Sequence, residues 1–336
     1  MKVGKFKRVV SIIALILILA MLLGSVAGAL TGCGANVKGR DDSTTVRVAA
    51  LKGPTTIGLV HLIDKASKES SEGSYEFTMY TQGSDIMAAM VAGDIDIGLV
   101  PSNVACVMNK KVEGGVTAID VNTLGVLNCV TADDSVKTIA DLSGKTVYMT
   151  GQGATPEYTM RYLLDMNGVT DCSIEFKSEP VEAVAMVTEN HNAAAILPQP
   201  FATASILTDR ELGIVFSLDD EWAKVNDSCN IVTSVTVVSN RFLSEHKDAV
   251  DLFLKEHGQS VDDALSDVDS TAKLVVEQGI MAKEPLAKKA IPQCNIVCLT
   301  GKEMKNALEG YLQVMFDMDP KILGGSLPEA DFYYEQ

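Results

Sequence analysis

From Val46 onward the chain repeats one unit: a short β-branched apolar run, a turn of Gly, Pro, Ser, Thr or Asn, then a longer helical pattern. That order constrains the fold most, because a strand followed by a crossover helix leads to a parallel neighbour and so to α/β layers. Residues 46–51 predict a strand, and Gly53-Pro54-Thr55-Thr56 opens a helix to about residue 68. A second strand over 75–80 leads through Gln82-Gly83-Ser84 into a helix to residue 92. In the third, over 94–100, Ile95, Ile97 and Leu99 alternate as a half-buried face requires. Pro101-Ser102-Asn103 starts the next helix, and 116–121 is a fourth strand.

A second series follows, with a strand over 124–131, a short helix and turn over 135–145, and a strand over 146–150. Gly151 to Pro156 then opens a long helix to about 167. Residues 173–177 predict a strand, 181–189 a helix and 193–197 a buried strand, which ends at Pro198-Gln199-Pro200. A β-branched run over 231–239 precedes helices over 241–265, 270–278 and 302–316.

The N-terminus addresses the chain to a compartment. Lys2, Lys5, Lys7 and Arg8 precede an apolar run over 9–23 that is short for a membrane span and suits a signal peptide. Leu30-Thr31-Gly32-Cys33 resembles the lipobox of bacterial lipoproteins. That resemblance implies removal of residues 1–32, lipid on Cys33 and attachment to the cell membrane. Residues 34–45, polar and without apolar period, read as a tether. No later segment reaches 18 consecutive apolar residues. Losing residues 1–32 removes four basic side chains and no acidic one, so the formal charge moves from −16 to about −20. Such acidity repels phosphate backbones and argues against nucleic acid as a partner. About 300 residues remain, enough for two domains or one large two-lobed unit. Cys106, Cys129, Cys172, Cys229, Cys294 and Cys298 show no CxxC and no Cys/His cluster in sequence. Buried thiols are the favoured reading, with disulfides and a metal site as alternatives. No cofactor and no metal are assigned.

The strand order, the Leu99-Val100-Pro101-Ser102-Asn103 segment, the run over 122–130, Ser135 to Val147 with its Asp141 to Lys145 turn, and Gly151 to Pro156 together resemble one family. It is the type II periplasmic binding proteins of ABC importers, in particular the nitrate/sulfonate/taurine and thiamine-precursor group. The resemblance covers about 46–323. It implies two α/β lobes with a ligand cleft between them: lobe 1 at 46–123 and 236–336, and lobe 2 at 124–235. Hinges would lie near 122–123 and 233–235, and the partners would be a small ligand and an importer permease, with the chain a monomer. The ligand class implied is a sulfonate- or nitrate-like anion or a small heterocycle.

Strand-to-helix turns are also where unpaired backbone N–H groups and a positive partial charge suit a ligand. The candidates are Thr55, Thr56, Gln82, Ser84, Ser102, Asn103, Gly153, Ala154 and Thr155, with Gln199 and Phe201 after the buried strand. The same side chains are also ordinary helix caps. Only Lys52 brings a formal positive charge to these turns, so an acceptor-rich neutral ligand stays open. Trp222 reads as a partly buried surface anchor, and His61, His191, His246 and His257 as surface or capping residues. Asp133-Asp134 and Asp219-Asp220 read as solvated loop charges. There is no GxSxG, HExxH, Walker loop or strand-linked GxGxxG. An enzyme of the same fold and a tethered sensor are the alternatives; the lipobox speaks against the enzyme.

Overall fold

The computed structural model describes residues 41–335; Cys33 and the expected signal peptide lie outside them. The chain runs β1 (Asp41–Leu51), α1 (Pro54–Ile57), α2 (Val60–Ser67), β2 (Gly73–Tyr80), α3 (Gly83–Ala92), β3 (Ile97–Pro101), α4 (Ser102–Lys111) and β4 (Val116–Leu124). It then forms β5 (Leu127–Thr131), β6 (Thr146–Met149), α5 (Thr155–Met166), β7 (Ser173–Phe176), α6 (Pro180–Glu189), β8 (Ala194–Pro198), α7 (Phe201–Thr208), β9 (Gly213–Ser217) and α8 (Leu218–Val225). The last part is β10 (Val232–Ser239), α9 (Asn240–Glu245), α10 (Lys247–Ser266), α11 (Val268–Glu277), α12 (Glu284–Ala290), β11 (Ile296–Leu299) and α13 (Gly301–Met318).

Two sheets result, in the orders β11-β4-β10-β3-β1-β2 and β7-β6-β8-β5-β9. In each, three strands joined by helices run parallel with the first in the middle: β2-β1-β3 and β7-β6-β8. An antiparallel strand from a distant part of the sequence then joins, β10 beside β3 and β5 beside β8. The chain leaves the first sheet after Leu124, enters the second at Leu127, and returns at Val232. Residues 122–123 lie inside β4 and 233–235 inside β10.

Central strands are buried on both faces, so β3 reads as a near-continuous apolar run, whereas β4 buries Thr117, Asp120, Asn122 and Thr123 among its apolar residues. Close packing explains Gly98: a Cβ there would sit 2.8 Å from Met90 Sδ of α3. The main core continues from one sheet to the other through α13, whose Tyr311 lies 5.5 Å from Trp222 of α8 between ring centroids. Cys106, Cys129 and Cys294 are buried thiols.

Several expectations change. β1 begins at Asp41 and pairs Asp41 with Gly73 and Thr45 with Ser74, so the sheet takes the last residues of the expected tether. The helix expected over 55–68 divides at Gly58, and that over 241–265 divides at His246. Trp222 is not a surface anchor: it is 1 % exposed, donates Nε1–H to the Cys229 carbonyl (2.7 Å) and packs on Tyr162. α8 buries Leu218, Glu221 and Trp222, although its three acidic residues make the sequence look solvated. His257 is not a surface residue either: it is fully buried against Asp120. Asp219 is not a solvated loop charge: burial pushes its carboxyl up to about 6, since it lies over the Gly125 backbone, where an added Cβ would overlap it.

Candidate functional site

In the first sheet the C-terminal ends of β2, β1 and β3 stand side by side, and three of the candidate turns leave from them. At the first turn Gly53 takes φ 141°, a backbone open to glycine, and precedes α1. Thr55 and Thr56 are buried, and both hydroxyls donate to the Leu51 carbonyl at 2.6 and 2.5 Å. They tie the turn to its strand while their oxygens keep acceptor capacity. Gln82 and Ser84 are exposed at the start of α3. This turn leans on the next: a Cβ on Gly83 would lie 3.2 Å from Pro101 Cδ. Ser102 and Asn103, both buried, begin α4.

The second sheet supplies a further candidate turn, at the helix start after β6. After β6, Gly151 and Gly153 adopt positive φ (86° and 73°), and Ala154 precedes α5. Those conformations turn the chain sharply enough to seat buried Thr155 at the helix start. Here turns from the two sheets meet. Ser102 Oγ lies 3.4 Å from Thr155 Oγ1, which donates to Asn103 Oδ1 (3.3 Å), while Asn103 Nδ2 donates to the Gly153 carbonyl (3.3 Å). Ser102 Oγ also donates to the Val232 carbonyl (2.7 Å), on the strand by which the chain re-enters the first sheet.

No N-cap side chain closes the first turn of α1, α3, α4 or α5, so the simple capping account does not hold at these four starts. The exception in spirit is Glu157, whose carboxylate accepts the Gly153 N–H (2.7 Å) and pairs with Arg161 (2.7 Å). It places a negative charge against the positive end of α5. Gln199 is 1 % exposed, and its Oε1 accepts from the Thr203 hydroxyl (2.9 Å) and N–H, so its carbonyl serves its own helix. Phe201 is half-buried at the start of α7, which packs against α12 of the other lobe. Lys52 is exposed beside the first turn.

Sequence spacing did not reveal Asn295. Its Nδ2 donates to the Gly125 carbonyl (2.5 Å) and to Asp219 Oδ2 (3.1 Å), linking both sheets at the crossing. Its φ of 42° was the one local sign, a conformation Asn tolerates better than most residues. A recess of about 300 Å³ between α5 and β7, lined by Arg161, Asp165, Cys172 and Ile174 among others, involves none of the candidate residues.

Comparison with known proteins agrees with this fold. Residues 62–277 match the family of ABC transporter, phosphonate, periplasmic substrate-binding proteins. Among solved structures, an ABC transporter protein of Parabacteroides distasonis superposes with TM-score 0.74 at 21 % identity, covering 87 % of this chain and 99 % of its own. The periplasmic aliphatic sulphonate-binding protein SsuA of Escherichia coli gives 0.66 at 14 % identity, over 82 % and 87 %. The alkanesulfonate-binding protein SsuA of Xanthomonas axonopodis pv. citri, bound to MOPS, gives 0.65 at 12 %, over 87 % and 98 %. No curated protein matches the chain in sequence. The two-lobed fold and the family match over well more than half its length together place the chain among the phosphonate-type periplasmic substrate-binding proteins of ABC transporters.

Proposed function

We propose that this binding protein is held at the cell membrane by lipid on Cys33 and passes a small acceptor-rich ligand to an importer permease as a monomer. Its lobes, about 46–123 with 236–336 and 124–235, close on the ligand by rotation at the two crossings. The observation that carries the proposal is the meeting of Ser102 and Asn103 with Gly153 and Thr155 across the lobes. Their mutual bonds of 3.3–3.4 Å are long, so a ligand oxygen can replace them with little loss. Thr55, Thr56, Gln82, Ser84 and Ala154 line the neighbouring turns of the same cleft, with Gln199 and Phe201 at its far end. Glu157 at α5 opposes a full negative charge there, so the anionic head of a sulfonate or phosphonate belongs on the first-sheet side, nearer Lys52.

Titration calorimetry with alkyl sulfonates, alkyl phosphonates, nitrate and pyrimidines tests this directly. For an anionic ligand, Ser102→Ala should weaken binding about tenfold to a hundredfold, the cost of one hydrogen bond to a charged group, and Thr155→Ala about twofold to tenfold, that of a neutral one. Unchanged affinity in both variants, with the fold intact, defeats the assignment. For the anchor, Cys33→Ser should leave the protein unprocessed or released from membranes.

A further inference from the structure

Beneath the first-sheet turns, three residues far apart in sequence converge on one buried point. Asp120 of β4 and His257 of α10 are both fully buried, and Asp120 Oδ2 lies 3.0 Å from His257 Nδ1. Cys298 of β11 is half-buried, and the ligand-type atoms of all three residues lie within 4.8 Å of one another. Nδ1 is held by the carboxylate, so the other ring nitrogen faces away from it. That Nε2 is buried with no oxygen or nitrogen partner among the described residues, and the Cys298 thiol interacts with the ring. Gly58 lies over it: a Cβ there would stand 3.7 Å from Nε2. A buried ring nitrogen whose neighbour is a weakly hydrogen-bonding thiol is a position that a soft ion can take.

Both oxygens of Asp120 are committed, Oδ2 to His257 and Oδ1 to the Thr236 hydroxyl (2.6 Å). The free donors are therefore one sulfur and one imidazole nitrogen. Hard cations such as Ca²⁺ and Mg²⁺ need oxygen cages, and structural Zn²⁺ takes four ligands. Thiolate with imidazole suits a soft monovalent d¹⁰ ion that accepts two. We propose that Cys298 Sγ and His257 Nε2 form a binding site for Cu⁺ or its analogue Ag⁺, with Asp120 as the positioning residue that orients the imidazole. Carboxylate behind a metal-bound histidine is a common second partner and raises the ring's basicity. In the metal-free protein burial disfavours the imidazolium, but the charges and hydrogen bonds of Asp120 and Cys298 outweigh it and raise the pKa. Burial also raises the Cys298 thiol. Binding displaces the thiol proton, and the Nε2 proton where the ring is charged, to solvent.

The test uses the full-length protein in detergent under reducing conditions, titrated with Ag⁺ against a competing chelator. One chelator-resistant equivalent should disappear in Cys298→Ser and weaken at least tenfold in His257→Gln. Asp120→Asn should weaken it about tenfold to a hundredfold, the usual cost of a lost second-shell partner. Because His257→Gln leaves Asp120 buried and unpaired and could unfold the chain, the imidazole ¹⁵N signals of the wild type supply a second reading. The Nε2 resonance of His257 should shift as that equivalent binds. The proposal is overturned if no equivalent is lost in Cys298→Ser, if the Nε2 resonance does not move, or if folded His257→Gln keeps full affinity. Zn²⁺ held with equal chelator resistance overturns the choice of a two-coordinate ion.

Discussion

The two sheets share a strand order but not an interior. In the first, β4 and β10 bury a chain of polar groups. Thr236 donates to Asp120, Asn122 donates to Thr236 (3.1 Å), Thr123 donates to Asn122 (2.9 Å), and His257 faces the far side of Asp120. The second sheet packs small apolar side chains against its outer helices, with Val130, Ala183, Val187, Ala195, Leu197 and Ala202 in one cluster. The difference follows from pairing. β4 and β10 are more than a hundred residues apart and their ladder shifts register three times, so apolar residues on both faces would tolerate a slip. Cross-strand polar pairs do not tolerate one, because a slipped register strands each partner in the core. β5 and β8 pair without a shift, and there close packing suffices.

Breaking the polar ladder should cost most. Asp120→Ala removes the carboxylate that keeps the buried imidazole protonated and leaves His257 unpaired, and urea unfolding should show a loss of about 3–5 kcal/mol, largely regained in Asp120→Leu with His257→Leu. A loss below about 1 kcal/mol would falsify the claim that this network holds β4 and β10 in place. The dry sheet should respond to volume instead. Leu197→Ala should lower stability by about 3 kcal/mol with the same denaturant slope, while a polar change on its exposed faces should do little.

The crossing between the sheets sharpens the comparison at a smaller scale. Burial raises the Asp219 carboxyl to about 6, so the folded state favours its protonated form. Its contribution is present below the ordinary carboxylate range and lost as pH rises through about 6. Between pH 4 and 7 the wild type should therefore lose about 2 kcal/mol more than Asp219→Asn, which keeps a hydrogen-bonding group beside Asn295. Parallel stability curves for the two proteins would show that Asp219 does not titrate against the fold at this crossing.

Much of the α/β order was legible because each early strand is short, β-branched and followed by a breaking turn. β9, β11, α8 and α12 escaped notice: the strands are four or five residues long and only partly buried, and α8 shows three acidic residues in its first turn. The candidate turns were legible for a similar local reason, since Gly, Pro, Ser, Thr and Asn mark helix starts. Which of them would meet was not legible. Ser102 and Thr155 are 53 positions apart, and only the folding of two sheets against each other brings them together.

Local chemistry determined the alternation of strands and helices, the likeness to a family of binding proteins, and the polar character of the turns. Tertiary structure decided what lies in the dark between those turns. It buried Trp222 between two tyrosines, raised Asp219 over Gly125, and set Cys298 beside His257 and Asp120. The physical reason is common to all three. Desolvation and ion pairing depend on what the rest of the chain places within a few ångströms, and sequence spacing is silent on that once the partners are more than a helix or hairpin apart.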